Sequence, residues 1–217
     1  MRGSLIAAIV VTAGITVLAT TARMDLVSAQ QGGPNHPPAQ ALTLDPSNTA
    51  LLVLDLNERC ADPAQTCSQL VSHVRPLIDK ARAAGAYIVF TVSPTELGTG
   101  REGVWSGFER RPEEPVIYPG THFDKFQQSE LHDMLDAHGI QTVIVTGASS
   151  NVAVLYTATG AAKVYGYNVV IPYDGMNSAS AYQDEYTVHQ LTVLPTINSL
   201  FSFTTVDLLN FGQPGAM

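Results

Sequence analysis

One arrangement occurs three times along the sequence: an amphipathic helix, a glycine, and then a short strand rich in β-branched residues. The strands are YIVFTV at 87–92, TVIVT at 142–146 and NVVI at 168–171, preceded by Gly85, Gly139 and Gly166. A glycine after an apolar-periodic segment is a typical helix end. Strands that alternate with helices form a parallel sheet covered on both faces.

The remaining segments extend this pattern in both directions. TALLVL at 49–54 is a continuous apolar run that ends in Asp55, which is typical of a strand buried on both faces. Helical spacing predicts helices over 68–84, from a cap at Ser129, over 151–165 and over 182–194, and a last strand at 201–205. The predicted fold class is α/β, a three-layer α/β/α sandwich with a six-stranded, mainly parallel sheet.

Composition excludes several classes of protein. Hydrophobic residues make up 45% of the chain, which is enough for a core and excludes disorder as the dominant state. The net charge of −8 argues against binding to a nucleic acid backbone. Two cysteines exclude a disulfide-dense scaffold and a cysteine-rich metal site.

The N-terminus has the pattern of a secretory signal. Arg2 precedes an apolar stretch over 5–20, and Val27-Ser28-Ala29 offers small residues for cleavage. We therefore predict a signal peptide over 1–29, a flexible leader over 30–42 and a catalytic-type domain over 43–212. The mature protein would be secreted or periplasmic and free of the membrane; a permanent membrane anchor is the alternative.

Export changes the interpretation of Cys60 and Cys67. An oxidising compartment would let two cysteines this close in sequence form a local disulfide. Two free thiols and a nucleophilic Cys60 are the alternatives.

A long segment, 93–122, shows no clean period and carries five glycines and three prolines. Loops of this length in compact domains are often lids or binding loops. Trp105 and Phe108 would either close over a ligand or pack the loop onto the body of the domain.

Ligands of open parallel sheets bind beyond the carboxyl ends of the strands. Asp55 follows the first strand, the segment 147–151 (GASSN) leaves the fourth strand for a helix, and Asp174 follows the fifth. Ser150 would cap that helix or, alternatively, serve as a nucleophile.

These segments carry a resemblance to a known family. LLVLDLNE at 51–58 and the run FDKFQQSELHDMLDAHGIQTVIVTGASSNVAVLYTATGAAKVYGYNVVIPYDGMNS from Phe123 resemble the isochorismatase-like hydrolases, also called cysteine hydrolases. The resemblance covers 49–210 and implies a Rossmann-like α/β fold, a small-molecule substrate, no nucleic acid partner and self-association into homo-oligomers.

The family's usual site is an Asp–Lys–Cys triad, and the resemblance transfers it only in part. The aspartate matches Asp55, but the position of the nucleophile is occupied by Ala153, which cannot attack a substrate. Alignment on Ser129 and Gly139 puts the family lysine on Gly120. Lys125, five residues later, is the candidate that could still reach the pocket.

Other family features map onto the same loop. A cis peptide bond is expected at Ala148–Ser149, with the N–H groups of Ser149 and Ala153 as oxyanion donors and Ser150 and Asn151 as further substrate-binding residues. His122 or Lys125 would assist Asp55. The metal-binding Asp-x-His pair of the nicotinamidase branch is absent from the sequence, so we predict no metal and no cofactor.

Three hypotheses follow. The first is an exported hydrolase of altered mechanism that acts on a small amide or vinyl ether, with Asp55 as acid or base and no covalent cysteine intermediate. The second is a catalytically inactive protein of the same fold that binds a small molecule. The third is an engineered Cys→Ala change at position 153 that traps substrate, although a lysine displaced from position 120 to position 125 argues against it, since one substitution would not explain both departures.

Overall fold

The computed structural model describes residues 36–212, apart from 94, 95, 97 and 119–121. The predicted signal peptide and the first part of the predicted leader lie outside this range. Four α-helices are described: α1 (Cys67–Ala84), α2 (Leu131–Ala137), α3 (Leu155–Tyr165) and α4 (Ala181–Val193). The strands are β1 (Leu42–Leu44), β2 (Thr49–Leu54), β3 (Tyr87–Thr91), β4 (Val116–Ile117), β5 (Thr142–Ala148), β6 (Asn168–Pro172), β7 (Met176–Asn177), β8 (Phe201–Thr204) and β9 (Leu209–Phe211).

The central strand β2 shows why the chain forms three layers. All six of its residues are buried, and successive side chains point to opposite faces of the sheet. Ala50, Leu52 and Leu54 join one apolar core with α2, α3 and α4. Leu51 and Val53 join a second core with α1. The predicted α/β/α sandwich is therefore confirmed.

The main sheet is parallel, in the order β4-β3-β2-β5-β6-β8, and the short β7 pairs with the end of β5. The chain builds outward from β2 through β3 to β4 and then crosses to β5 on the other side of β2. The carboxyl ends of β2 and β5 therefore flank the switch point, where open α/β sheets bind ligands.

The predicted helix ends are confirmed at the glycines. Gly85 follows α1 with φ 77°, and its N–H donates to the carbonyls of Ala81 and Arg82. Gly166 follows α3 in the same left-handed conformation, at φ 73°. Side chains other than glycine adopt this conformation at a cost.

Two elements differ from the sequence prediction. The helix expected from residue 151 begins with a π-helical turn, Ser150–Val154, in which the Leu155 N–H donates to the Ser150 carbonyl. The irregular segment 93–122 also contains β4, whose two residues pair with β3 at the edge of the sheet. Two residues are too few for a period-2 pattern, so the sequence alone did not indicate this strand.

The predicted leader overlaps the domain. From Pro37 onward it lies on β8: the Tyr173 hydroxyl donates to the Pro37 carbonyl (2.6 Å), and the Gln40 N–H donates to the Phe203 carbonyl (2.9 Å). β1 then pairs with β9 in a separate parallel ribbon. Because β8 is an edge strand, these contacts cover backbone groups that would otherwise be unpaired.

The cysteines form the predicted local disulfide, Cys60–Cys67. It joins a short 3₁₀ turn, Glu58–Ala61, to the first residue of α1. Among the described residues no helix is both long and apolar enough to cross a lipid bilayer.

Candidate active site

Asp55 is the first residue after β2 and has a left-handed backbone conformation, with φ 59°. Its side chain is buried and accepts two hydrogen bonds. The Thr91 hydroxyl donates to Oδ1 at 2.9 Å, and the Lys125 ammonium donates to Oδ2 at 2.7 Å. Thr91 ends the neighbouring strand, in register with Leu54, so the pairing of β2 with β3 positions this donor.

Lys125 is completely buried, and its backbone is fixed from both sides. Its N–H donates to the Thr157 hydroxyl (3.1 Å), and its carbonyl accepts from the Ser129 hydroxyl (2.6 Å). The next side chain, Phe126, packs into the core beneath α3. The alignment that placed the family lysine on Gly120 therefore does not describe this pocket: Lys125 occupies it, while Gly120 lies outside the described residues.

Burial sets the charge state of Asp55. Loss of hydration raises the pKa of this carboxyl above its ordinary value, and the opposing effects of Lys125, Thr91 and Arg59 only partly offset the rise. A carboxyl with a raised pKa holds its proton more firmly than a free one, which is a property of general acids.

A cavity of about 220 Å³ opens beside this pair. Its walls come from the ends of β2 and β5, from the π-helical turn and from the segment before Lys125. The described residues that line it are Asp55, Arg59, Ser93, Phe123, Ala148, Ser149, Val152 and Ala153. A small organic molecule fits a cavity of this volume.

Ala153 supplies a methyl group at the floor of the cavity and is nearly inaccessible to solvent. The Ala148–Ser149 peptide bond is cis, as the family resemblance implied. Ser149 follows this bond directly and lines the cavity together with Ala153.

Ser150 and Asn151 do not line the cavity, contrary to their prediction as substrate-binding residues. The buried Ser150 hydroxyl donates to the Asp184 carboxylate on α4 (2.6 Å), and the Asn151 amide oxygen accepts from the Ser178 hydroxyl (2.8 Å). Ser149, not Ser150, is the cap position of the π-helical turn, and the nucleophilic role of Ser150 stays a prediction.

Trp105 and Phe108 are not among the described residues that line the cavity either. Phe108 is fully buried in the core beside α1, and Trp105 packs edge-on against it. The backbone N–H of Trp105 also donates to the Leu56 carbonyl (2.9 Å). These contacts pack the loop onto the body of the domain, which was the alternative to a lid.

His122 is likewise outside this lining set, and its charge interacts with the Asp124 carboxyl. The expectation that His122 assists Asp55 stays a prediction. Asp124 has a structural task, because its carboxylate accepts the N–H of Phe126 (3.0 Å) and so shapes the turn that carries Lys125.

Arg59 is the cavity residue whose role the sequence did not indicate. It lies four residues after Asp55, and its guanidinium pairs with Glu96 through Nη1 and Oε1 at 2.8 Å. A lone arginine in a loop carries no distinctive sequence signal, so only the fold reveals that it shares the cavity with Ala153.

Metal binding remains a separate question. Within the part of the chain that the structure describes, no three His, Cys, Asp or Glu side chains are grouped so as to hold a metal ion.

Comparison with known proteins bears on this site. The sequence profile of the isochorismatase domain matches residues 49–199, which include Asp55, Lys125 and Ala153. Streptothricin hydrolase of Streptomyces noursei is 31% identical over 134 residues, which is 58% of this chain and 52% of that protein. The chain thus spans about half the length of this curated relative.

Solved structures share the fold. A cysteine hydrolase from Pseudomonas syringae pv. phaseolicola 1448A superposes with a TM-score of 0.64 at 16% identity, over 79% of this chain and 94% of that one. The nicotinamidase SaPncA of Staphylococcus aureus superposes with a TM-score of 0.61 at 19% identity, over 73% and 98% of the two chains. At these identities the likeness establishes the fold alone.

Proposed function

This chain belongs to the isochorismatase family, and on that premise we propose that it is a hydrolase in which water attacks the substrate without a covalent enzyme intermediate. The observation that carries the proposal is the Asp55–Lys125 contact at 2.7 Å beside a cavity lined by Ala153. The acid–base pair is in place, whereas the position of the attacking group holds a methyl.

A vinyl ether is the first substrate class that this site suits. Protonated Asp55 gives its proton to the terminal methylene carbon, and the ether oxygen stabilises the resulting cation. Water then adds to the carbon that bears this oxygen and returns a proton to the Asp55 carboxylate. The hemiketal splits into an alcohol and a ketone as its hydroxyl proton passes to the leaving oxygen, so one water is consumed and Asp55 is regenerated.

A small amide is the second class. Here the Asp55 carboxylate takes a proton from water while the water oxygen attacks the carbonyl carbon. The N–H groups of Ser149 and Ala153 would hold the oxyanion, a role that requires no side chain. Asp55 then protonates the leaving amine, which gives an acid and an amine.

Lys125 serves both routes as a fixed positive charge. Because it is completely buried and bonded to Asp55, it stabilises the carboxylate formed after each proton transfer. Burial alone would keep the carboxyl protonated, and the pair allows both forms to take part in the cycle.

The test is turnover of small vinyl ethers and primary amides by the purified protein. We expect Asp55→Asn to lower kcat by about 10²–10⁴-fold, the contribution of a positioned acid or base. Asp184→Asn is the matched control, because Asp184 is a partly buried carboxylate bonded to Ser150 outside the cavity. Turnover that survives Asp55→Asn would contradict the proposal.

The competing candidate is an inactive binding protein, which the methyl of Ala153 favours. It predicts no turnover of either class together with a rise in Tm when a small ligand binds. The third hypothesis, an engineered Cys→Ala change that traps substrate, stays open, because Lys125 contacts Asp55 and the displacement of the lysine no longer argues against it.

We also propose that the protein acts outside the cytoplasm. The signal pattern over 1–29 and the Cys60–Cys67 disulfide support this location. Expression in a secreting bacterial host should yield a mature chain that begins at Gln30, as measured by N-terminal sequencing. A chain that retains residues 1–29 after export would contradict it.

A further inference from the structure

Arg59 lies on a backbone segment that is tied down on both sides. The segment is the 3₁₀ turn Glu58–Ala61, which begins three residues after Asp55. At its start, the Asn57 side-chain oxygen accepts the N–H of Arg59 at 3.0 Å. One residue later, the Cys60–Cys67 disulfide joins the turn to α1. The turn therefore presents the Arg59 side chain from a fixed base.

The guanidinium of Arg59 has a hydrogen-bond partner among the described residues on one side only. Nη1 donates to Glu96 Oε1 at 2.8 Å, and the Glu96 side chain is itself 10% exposed. The Nε atom is buried and has no hydrogen-bond partner among the described residues. A buried donor without a partner is costly, so this arrangement suggests that something else accepts from it.

The geometry of arginine narrows what that acceptor is. Nε and Nη2 form one edge of the guanidinium, with two parallel N–H groups that match the two oxygens of a carboxylate. Glu96 takes Nη1 and leaves this edge available. Lysine could not provide the same paired donors.

The charges around the cavity leave Arg59 as the side chain that would receive an acidic ligand. Asp55 is paired with Lys125, and Glu96 is paired with Arg59, so these four charges balance. Lys125 is completely buried and already bonded to Asp55, so it is not free to receive a second carboxylate. Arg59 is the cation that itself lines the cavity among the described residues.

We propose that the Nε–Nη2 edge of Arg59 binds the carboxylate of a small acidic ligand whose other end lies against Ala153. This inference rests on the proposed function, since it names the substrate class of the same cavity. The ligand would be a compact monocarboxylate, because the cavity measures about 220 Å³. Arg59 would thus select a substrate that carries a carboxylate at the end away from Ala153 over the same molecule with a neutral amide in place of that carboxylate.

Equilibrium binding tests the assignment without requiring turnover. The probes are three acids, acetate, pyruvate and benzoate, each compared with its own amide, by calorimetry. We expect at least one acid to bind wild type tenfold or more tightly than its amide. Arg59→Gln should weaken the binding of that acid by tenfold or more and the binding of its amide by less than threefold. Arg59→Lys should have an intermediate effect on the binding of the acid, because it keeps the charge and loses the paired donors.

Arg111→Gln is the matched control for net charge. Arg111 is exposed and lies by the amino-terminal ends of the strands, near Tyr87 and Ile140 and away from Ala153. Arg111→Gln should leave the binding of the acid unchanged. Tm values of all variants establish that they fold.

Two results would overturn the assignment. One is that no acid in the panel binds more tightly than its amide. The other is that Arg59→Gln weakens acid and amide equally, as loss of packing alone would do. If the protein binds an acid through Arg59 but hydrolyses no substrate, the hydrolase proposal is contradicted and the assignment of Arg59 stands. If the protein is a hydrolase whose binding and turnover are unchanged by Arg59→Gln, the assignment of Arg59 is contradicted and the hydrolase proposal stands.

Discussion

At the scale of single residues, the site is defined by one side chain that is present and one that is missing. Asp55 and Ala153 could be identified from the sequence, because each belongs to a contiguous motif, DLNE or SSNVAV. Lys125 could not be placed, because the irregular segment before it allowed more than one alignment. Arg59 was missed because the carboxyl end of β2 meets the cavity only in the folded chain.

The Asp55–Lys125 pair makes a prediction at this scale. Lys125→Met leaves a buried carboxyl without its cation, and we expect a loss of about 3–5 kcal/mol in the free energy of unfolding near neutral pH, as for other broken buried pairs. Lys163→Met is the control, because Lys163 lies exposed on the surface of α3, where its ammonium donates to the Thr196 hydroxyl at 3.3 Å.

The destabilisation by Lys125→Met should depend on pH. Without the cation, the pKa of Asp55 in the folded state rises further above its ordinary value. The native state then holds a proton that the unfolded chain releases above about pH 4, so stability falls as the pH rises. Urea titrations should therefore show a larger loss at pH 8 than at pH 5. An equal loss at both would mean that the pair is not coupled to protonation.

At the scale of elements, local signals predicted the helix ends and the buried strands well. They failed at β4, which consists of two residues and is held by its pairing with β3. They also failed at the π-helical turn, because its sequence, SNVAV, has ordinary helical character. Both misses lie where tertiary contacts decide the backbone.

The close approach of β2 and β5 at Gly147 makes a prediction about stability. It lies in β5 just before the cis peptide bond, with φ 128°, and an added Cβ would overlap the Leu54 carbonyl. Gly139, at φ 67°, has open space around it. We expect Gly139→Ala to cost about 1 kcal/mol from backbone conformation alone and Gly147→Ala at least about 2 kcal/mol more, because β2 and β5 must separate.

Chemical denaturation of the two glycine variants checks this expectation. Gly147→Ala should also weaken ligand binding, because the end of β5 carries Ala148 and Ser149 into the cavity. Equal stabilities for the two variants would contradict the close approach of β2 and β5.

At the scale of the whole molecule, the repeated helix–glycine–strand unit was enough to predict the three layers, because the unit leaves a parallel sheet with two faces to cover. The leader predicted over 30–42 makes hydrogen bonds to the domain from Pro37 onward. The composition of the leader, QQGGPNHPPAQ, indicates flexibility. It does not reveal that β8 leaves an edge for this segment to cover.

The docked leader predicts a difference between two truncations. A chain that starts at Thr43 loses the Pro37 and Gln40 hydrogen bonds, including the one that the Thr204 hydroxyl donates to the Gln40 carbonyl (2.7 Å). At about 0.5–1.5 kcal/mol each, three such bonds should lower Tm by at least about 3 °C relative to a chain that starts at His36. Equal Tm values by calorimetry would mean that the leader adds nothing to the domain.

The central claim is that the cavity retains its acid–base pair and backbone donors and lacks only an attacking atom. The most direct measurement is amide hydrolysis by Ala153→Cys, with intact-protein mass spectrometry to detect an acylated intermediate. Ala137→Cys, which adds a thiol at the exposed end of α2, is the control. We predict that Ala153→Cys becomes acylated and gains amidase activity over both wild type and the control. If Ala153→Cys folds and behaves like Ala137→Cys, the cavity is not the site described here.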